Sequence, residues 1–215
     1  LGSLCRDAEV ALIEDAAGAI GASYKGHHVG AHGLAACFSF NGNKLVTAGG
    51  GGMVVTDDEA LAQRIKSLSS QGRTGGDYLH QEIAWNLRLT NLNAAVALAQ
   101  LERLDEMTGT KRAIAARYDA AFDGCPGVRP MPRAAWAESN CWLYSLLMDS
   151  EEQARALVAA LDVAGIQARV FWRSLSDQRP YAQAPRRLRG VAQGLSGRVV
   201  TLPSSSNLDR DQQQR

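Results

Sequence analysis

The sequence lacks the features of several common protein classes. Lysine and arginine number 23 against 22 aspartate and glutamate residues, so no excess of positive charge is present to attract a nucleic acid or an anionic membrane. No apolar run approaches the roughly 18 residues of a membrane-spanning helix, and no basic segment precedes an apolar one as in a signal peptide. We therefore expect no nucleic-acid partner and no membrane association.

Cysteine is scarce, and its four residues form no C-x-x-C pair. They are Cys5, Cys37, Cys125 and Cys141. Their wide spacing and their apolar or small neighbours favour reduced, mostly buried thiols in a cytoplasmic protein over a disulfide framework. His27, His28 and His32 lie near Cys37, but their spacing matches no standard zinc pattern, so we expect no metal site.

The chain does contain enough apolar residues for a core. Hydrophobic residues make up 46% of its 215 positions, which suffices for one large domain or two small ones. The chain starts at Leu1, close to a predicted core strand, and residues 209–215 are typical of the first turn of a helix. We therefore expect it to be a piece of a longer protein.

Strands and helices are predicted to alternate along the first half. Short apolar runs separated by glycines predict buried strands at residues 10–13, 35–40 and 52–56. A polar cap and an acidic first turn at residues 56–59 predict the start of a helix. This order is typical of an α/β fold with a parallel or mixed sheet and helices on its faces.

A long amphipathic helix, from residue 91 to about residue 118, is predicted to link two domains. Beyond it the sequence predicts a strand at residues 141–148 and a helix capped by Ser150. We expect residues 1–105 to form part of a large domain that ends in the linking helix. We expect residues 106–215 to form a small α+β domain.

A lysine on a turn and an acid at a strand end are the most informative candidates for chemistry. Lys44 follows the apolar run at residues 35–40, and Asp15 follows the predicted strand at residues 10–13. A lysine can form an imine with the aldehyde of pyridoxal phosphate, and an acid can keep the pyridine nitrogen protonated. The two residues are therefore the minimal equipment for pyridoxal phosphate chemistry.

Each candidate also has an ordinary structural role. A loop lysine is usually a solvated charge, but the four glycines at residues 49–52 cost backbone entropy unless close approach or positive φ requires them. Asp15 can instead cap a following helix. Ser39 can bind a phosphate oxygen or a nearby backbone group, and the sequence leaves both roles open. The glycine run matches neither a P-loop nor a dinucleotide-binding motif.

A further polar segment contains Asn86 and Arg88, two residues apart among apolar neighbours. An amide and a guanidinium on one segment suit a phosphate or another anionic substrate. Turn formation and helix capping are the alternative roles for these side chains.

Four segments together resemble the DegT/StrS-type sugar aminotransferases. They are IEDAA at residues 13–17, SFNGNK at residues 39–44 with the glycine run, WNLRL at residues 85–89, and LPSS at residues 202–205. Among these enzymes, SFNGNK and GGGGM are most similar to the LegC-type branch, which acts on nucleotide-linked 4-keto-6-deoxy sugars. The segments occur in order over nearly the whole chain.

The resemblance implies a fold and a set of residue roles. The implied fold is the fold-type I, aspartate-aminotransferase-like architecture, in a homodimer whose active sites are shared. Lys44 is implied to be the Schiff-base lysine, Asp15 the partner of the pyridine nitrogen, and Ser39 a ligand of the cofactor phosphate. Asn86 is implied to reach the cofactor phosphate of the neighbouring subunit, and Arg88 to approach the substrate.

The resemblance also implies a reaction. Pyridoxal phosphate would carry an amino group from glutamate or a similar donor to a nucleotide-linked keto-deoxy sugar in a ping-pong sequence. Such amino sugars serve cell-surface glycans or secondary metabolites.

Two departures from the family pattern leave alternatives. Many relatives carry glutamine or glutamate at the position of Gly18, and family members are nearly twice as long as this chain. The N-terminal part would supply a phosphate-binding helix start and a ring-stacking aromatic, so we expect these 215 residues alone to be inactive. A non-catalytic pseudoenzyme or partner subunit is one alternative. A dehydratase is disfavoured, because relatives that dehydrate typically carry histidine at the position of Lys44.

Overall fold

A computed structural model describes residues 1–73, 75–76 and 78–214 and divides the chain into two compact units. Unit 1 comprises Leu1–Thr108 with Ala134–Asn140, and unit 2 comprises Gly109–Arg133 with Cys141–Arg215. We propose that unit 1 is part of the predicted large domain and that unit 2 is the predicted small domain. Arg215, the last residue of the predicted terminal helical turn, lies outside the described residues.

Among the described residues, one short helix is followed by five consecutive strands and then by three consecutive helices, so the alternation predicted for the first half is wrong. The helices are α1 (Gly2–Asp7), α2 (Glu59–Ser69), α3 (Asn91–Leu101), α4 (Leu104–Phe122), α5 (Glu151–Val163), α6 (Val191–Leu195) and α7 (Arg210–Gln214). The strands are β1 (Ile13–Asp15), β2 (Ser23–Tyr24), β3 (His27–His28), β4 (Ala35–Ser39), β5 (Gly52–Val55), β6 (Val128–Pro130), β7 (Ala137–Glu138), β8 (Tyr144–Met148), β9 (Arg169–Val170) and β10 (Val199–Leu202). Two single-turn 3₁₀ helices are Leu175–Asp177 and Arg179–Tyr181.

The main sheet of unit 1 is mixed, in agreement with the sequence prediction. Its strand order is β1-β4-β5, with β1 parallel to β4 and β4 antiparallel to β5. Asp15 pairs with Cys37 in the parallel register, and Ser39 pairs with Gly52 in the antiparallel one. The carboxyl ends of β1 and β4 therefore meet at one edge of this sheet.

The core of unit 1 includes buried residues of the segment that follows β4. Phe40 and Val46 are almost completely buried. The full buried cluster is Phe40, Leu45, Val46, Ala48, Ala97 and Met107. Because this cluster includes residues on both sides of Lys44, the turn that carries Lys44 is fixed to the core at each end.

Unit 2 is an antiparallel sheet with helices packed against it. The strand order is β6-β8-β10-β9, and all three pairings are antiparallel. Tyr144 is buried in the core of this unit, and its hydroxyl donates to Asp119 Oδ1 at 2.9 Å. The Tyr118 hydroxyl donates to the Pro203 carbonyl, also at 2.9 Å. These bonds connect α4 to the sheet of unit 2 and satisfy the polar ends of two core aromatic residues.

The predicted helix starts are confirmed by side-chain caps. Asp58 Oδ1 accepts from the Leu61 N–H at 2.9 Å at the start of α2. Ser150 Oγ accepts from the Gln153 N–H at 3.1 Å at the start of α5. Caps of this type satisfy backbone donors that have no partner within the helix.

The prediction of one helix from residue 91 to residue 118 is wrong, because α3 and α4 are separate. The N–H of Arg103 donates to the Gln100 carbonyl, three residues back instead of four. Such a tight turn interrupts the regular α-helical pattern.

Two expectations about burial are also wrong. Val10 lies outside β1, and Val10 and Ile13 are 59% and 62% exposed. The described residues place β1 and β5 at the two edges of the sheet, and Met53 and Val54 of β5 are 47% and 43% exposed, so neither strand is the buried one expected. The cysteines are not mostly buried either, since only Cys141 is buried and Cys37 is exposed. No disulfide joins any of the four cysteines, all of which lie in the described residues.

Candidate active site

The candidate site begins at the carboxyl ends of β1 and β4. Asp15 ends β1, and Ser39 ends β4 two residues beyond the partner of Asp15 in the parallel register. In open α/β sheets, ligands bind in the crevice outside the carboxyl ends of parallel strands. The structure therefore places Asp15 and Ser39 at the same edge, where a ligand can meet both.

Asp15 is exposed, and its carboxylate is oriented by the turn that follows it. The Ala17 N–H donates to Asp15 Oδ1 at 3.1 Å. The described residues immediately after Asp15 form turns and no helix, so Asp15 does not have the helix-capping role considered as an alternative. One hydrogen bond from a backbone amide still leaves a carboxylate with further acceptor capacity.

Ser39 makes a local backbone contact as well. Its Oγ accepts from the Asn41 N–H at 3.3 Å. This is the backbone role that the sequence left open. A hydroxyl that accepts in this way can still donate its own hydrogen, so phosphate binding is chemically compatible with the contact.

Lys44 ends a tight turn between the strand and the core. Its backbone N–H donates to the Asn41 carbonyl at 3.0 Å, and its side chain is partly buried. The Ala48 N–H donates to the Phe40 carbonyl at 2.9 Å, which closes the loop beyond the lysine. The lysine is thus held on a short, closed loop that leaves the carboxyl end of β4.

The four glycines after this loop have two different physical explanations. A Cβ at Gly51 would lie 2.4 Å from Leu89 Cδ1, and a Cβ at Gly52 would lie 2.4 Å from the Phe38 carbonyl oxygen. Backbone packing therefore requires glycine at residue 52, and a positive φ of +84° favours glycine at residue 51. A Cβ at Gly49 or Gly50 would meet nothing within 4 Å. Only the first half of the run is thus compatible with the predicted close approach of a ligand.

Glu14 has a role that the sequence analysis missed. Its carboxylate accepts from the N–H groups of Gly30 at 2.9 Å, His32 at 2.7 Å and Gly33 at 2.8 Å. Burial raises the pKa of this carboxyl, but the three amide donors and the charge of His32 outweigh it, and the net pKa is lowered. Glu14 thereby ties β1 to the loop that leads into β4.

The lowered pKa of Glu14 predicts a pH-dependent contribution to stability. The unfolded state binds more protons, so the contribution is present above the usual glutamate pKa of about 4.5 and is lost as pH falls through the lower folded-state pKa. We expect Glu14→Gln to lower the free energy of unfolding at pH 7 by about 1–2 kcal/mol. Urea titrations of both proteins should show this difference shrinking below about pH 4.5. A difference independent of pH would contradict the assignment.

Asn86 and Arg88 line a separate cavity of about 560 Å³ in unit 1. The other described residues around it are Gln63, Lys66, Ser67, Ser70, Gln71, Arg73 and Gly75. Three cationic side chains thus face this cavity, and no carboxylate is among its described lining residues. The helix-capping alternative is not what the structure shows, since Thr90 caps α3 by accepting from the Asn93 N–H at 3.3 Å. The cavity suits an anion.

Lys111 in unit 2 is the lysine with the most perturbed pKa, but its contacts indicate a structural role. Burial lowers its pKa to about 8. Its Nζ donates to the Trp142 carbonyl at 2.7 Å and to the Ser204 carbonyl. An amine held by two carbonyls inside a core is not accessible to a substrate, so Lys44 remains the candidate nucleophile.

The residues at the strand ends fit pyridoxal phosphate in their chemistry. Asp15 and Ser39 are the last residues of two adjacent parallel strands and supply a carboxylate and a hydroxyl. Lys44, on the loop after the second of these strands, supplies a primary amine. These are the groups needed to pair with a ring nitrogen, bind a phosphate oxygen and bond an aldehyde. Asn86 and Arg88 instead belong to the cationic cavity, whose lining residues include none of these three.

Comparison with known proteins identifies the family. The model of the DegT/DnrJ/EryC1/StrS aminotransferase family matches residues 1–215. The chain belongs to this family. The resemblance noted from the sequence is thereby confirmed, and the cofactor of the family is pyridoxal phosphate. The finer resemblance to the LegC-type branch stays a prediction.

The curated relatives cover nearly the whole chain. EpsN of Bacillus subtilis (strain 168), provisionally assigned as a pyridoxal phosphate-dependent aminotransferase, is 41% identical over 99% of this chain and 56% of its own length. The GDP-perosamine synthase of Vibrio cholerae is 35% identical over 99% of this chain and 59% of its own length. This chain therefore spans somewhat more than half the length of the family members it matches.

Solved structures confirm the predicted fold class. PseC of Helicobacter pylori, an aminotransferase of pseudoaminic acid biosynthesis, has a TM-score of 0.92 at 27% identity and covers 99% of this chain and 59% of its own. The aminotransferase TlmJ of Streptoalloteichus hindustanus has a TM-score of 0.91 at 26% identity and covers 99% of this chain and 58% of its own. The architecture is the aspartate-aminotransferase-like fold shared by these aminotransferases.

No helix in residues 1–73, 75–76 or 78–214 is both long and apolar enough to cross a membrane. Within the same residues, no group of three or more histidine, cysteine, aspartate or glutamate side chains could hold a metal ion.

Proposed function

We propose that the full-length gene product is a cytoplasmic, pyridoxal phosphate-dependent aminotransferase that aminates a nucleotide-linked keto-deoxy sugar. The amino sugar would enter a cell-surface glycan or a secondary metabolite. The observation that supports this most directly is the placement of Asp15 and Ser39 at the ends of adjacent parallel strands, with Lys44 on the loop that follows. The family match supports the reaction class, and relatives such as GDP-perosamine synthase support the sugar substrate.

Each residue at the strand ends has a distinct role in this proposal. The cofactor, when bound, supplies an electron sink that makes the proton labile on the carbon atom that bears the transferred amino group. The Nζ of Lys44 would hold the cofactor through its aldehyde, with water as the leaving group, and once displaced by the donor's amine it would carry that proton between carbon atoms. The carboxylate of Asp15 would hold a proton on the ring nitrogen, and the hydroxyl of Ser39 would donate to the phosphate.

The cationic cavity supports a second part of the proposal, which concerns the dimer. Asn86 and Arg88 face the cavity, whose described lining residues do not include Lys44. We assign Asn86 to the cofactor phosphate of a neighbouring subunit and Arg88 to the anionic groups of the substrate. This arrangement requires a homodimer in which each active site takes residues from both chains.

Amino-group transfer from labelled glutamate tests the proposed function. The full-length gene product is incubated with pyridoxal phosphate, ¹⁵N-glutamate and a panel of nucleotide-linked 4-keto-6-deoxy sugars. We expect ¹⁵N in one sugar product, with one 2-oxoglutarate formed for each amino sugar, as mass spectrometry would show. Sugar binding without any transfer would contradict the proposal and would favour the non-catalytic alternative.

A further inference from the structure

A buried asparagine from a distant part of the sequence holds the turn that follows Asp15. Asn140 is only 5% exposed. Its Nδ2 donates to the Gly18 carbonyl and to the Ile20 carbonyl, both at 2.9 Å. All of these residues belong to unit 1 although Asn140 follows the turn by about 120 positions. One side chain thus satisfies two backbone acceptors of a segment that is not helical.

The turn held by Asn140 is the segment that orients Asp15. The Ala17 N–H donates to Asp15 Oδ1 at 3.1 Å. The Ala16 N–H donates to the Cys37 carbonyl of β4 at 3.0 Å, and the Ala19 N–H donates to the Ala16 carbonyl at 2.9 Å. The direction of the Ala17 N–H therefore depends on a turn that Asn140 fixes at the carbonyls of Gly18 and Ile20.

The segment that carries Asn140 is itself fixed within unit 1. Strand β7 pairs with β2, with Ser23 opposite Glu138. The Lys25 N–H donates to the Trp136 carbonyl at 2.7 Å. Asn140 follows β7 by two residues, so its amide projects from a segment held by a sheet. A donor mounted in this way can hold the turn in one conformation.

We propose that Asn140 is a positioning residue for Asp15. By fixing the carbonyls of Gly18 and Ile20, it keeps the Ala17 N–H aimed at the carboxylate, and the carboxylate aimed outward from the strand end. This inference rests on the proposed function, in which Asp15 pairs with the ring nitrogen. It adds a residue that touches neither cofactor nor substrate and acts through the backbone.

Two substitutions of Asn140 and one matched control test the inference in the full-length protein. Asn140→Asp keeps the shape of the side chain and removes the N–H donors, and Asn140→Ala removes the side chain. The control is Thr56→Val, which removes two side-chain bonds elsewhere in unit 1: Thr56 Oγ1 donates to the Leu34 carbonyl at 2.6 Å and accepts from the Asp58 N–H at 3.1 Å. Leu34 precedes the amino end of β4, away from the end that carries Ser39.

The first measurement is hydrogen exchange in the cofactor-free protein. We expect both Asn140 variants to increase amide exchange at residues 16–20 by at least about five- to tenfold, because the loss of even one of the two hydrogen bonds corresponds to a change of that size. The control should leave these amides unchanged. Unchanged exchange in the Asn140 variants would overturn the inference without using the cofactor at all.

The second measurement is the pH dependence of the absorption of the bound cofactor. We expect the Asn140 variants to shift its midpoint by about one pH unit and to weaken cofactor binding about tenfold, while Thr56→Val changes neither. Increased exchange with an unchanged midpoint would show a purely structural bond and would overturn the inference. Borohydride trapping on Lys44 of the unsubstituted protein separates the two claims, because its failure would overturn the proposed function itself.

Discussion

Replacing Lys44 by alanine is expected to abolish the covalent attachment of pyridoxal phosphate and to reduce amino transfer by at least about 10³-fold. Lys44 stands on the closed loop between Phe40 and Ala48, next to the buried Leu45 and Val46. Because these neighbours anchor the loop, loss of the side chain should not unfold it. Borohydride reduction followed by peptide mass spectrometry should find the cofactor mass on Lys44 of the unsubstituted protein and nowhere on the variant.

Two controls separate the chemistry of Lys44 from its charge and its fold. Lys44→Arg keeps a cation but has no primary amine, and it should fail to the same extent.

Mixing Lys44→Ala chains with Asn86→Ala chains should restore activity to about one quarter of the sites, because random pairing creates one intact shared site in each mixed dimer. An adduct on Lys111 in the Lys44 variant would contradict the assignment, as would full activity of Lys44→Arg.

The parts of the fold that the sequence predicted correctly depend on local interactions. The caps at Asp58 and Ser150 act on amides three residues away, so a short sequence motif specifies each of them. The break between α3 and α4 was not predicted, because the apolar pattern continues across it. It is visible in the hydrogen bond from the Arg103 N–H to the Gln100 carbonyl, which the sequence pattern does not show. The exposure of Val10 was missed for a different reason, since burial of a strand depends on which neighbours cover it.

In the candidate site, too, the residues with a local sequence signal were predicted and the contacts between distant segments were not. Lys44 and Asp15 were predicted because their chemistry and their position after apolar runs are visible in the sequence. The bonds of Glu14 connect residues 16 to 19 positions apart, and those of Asn140 connect residues at least 120 positions apart. The glycines at residues 30 and 33 were the only local signal for the first of these contacts. For the second there was none, because any buried asparagine of the later sequence could have reached that turn.

The glycine run shows how a correct motif can carry an incomplete physical explanation. We expected the four residues to serve either close approach of a ligand or a positive φ, and the positive φ values of +77° at Gly49 and +84° at Gly51 confirm the second reason at two of them. The structure explains Gly51 by its φ of +84° together with the nearby side chain of Leu89, and Gly52 by the backbone of Phe38. Leu89 lies one residue beyond Arg88, so Gly51 connects the loop after Lys44 to the segment that lines the cationic cavity. The motif therefore joins two parts of unit 1 in addition to leaving space at Gly49 and Gly50.

Asp15→Asn is expected to slow amino transfer about 10- to 150-fold while leaving the fold intact. A hydrogen bond to a charged group contributes roughly 1.5–3 kcal/mol, and each 1.4 kcal/mol corresponds to a tenfold change in rate. The amide oxygen of the new side chain can still accept from the Ala17 N–H, so the turn after β1 should keep its conformation. Only the negative charge that holds a proton on the ring nitrogen is removed. The effect is measured as the single-turnover rate with glutamate, which the change in cofactor absorption reports.

Because asparagine keeps the acceptor for the Ala17 N–H, this prediction does not depend on a change in the conformation of the turn. Asp15→Ala removes both the charge and the acceptor for Ala17, so it should combine the kinetic loss with faster amide exchange at residues 16–20. Asp15→Asn should show the kinetic loss alone. If the two variants changed exchange equally, Asp15 would act mainly by holding the turn. If Asp15→Asn transferred amino groups at the unsubstituted rate, the carboxylate could not be the partner of the ring nitrogen, and Lys44 would need another residue to activate the cofactor.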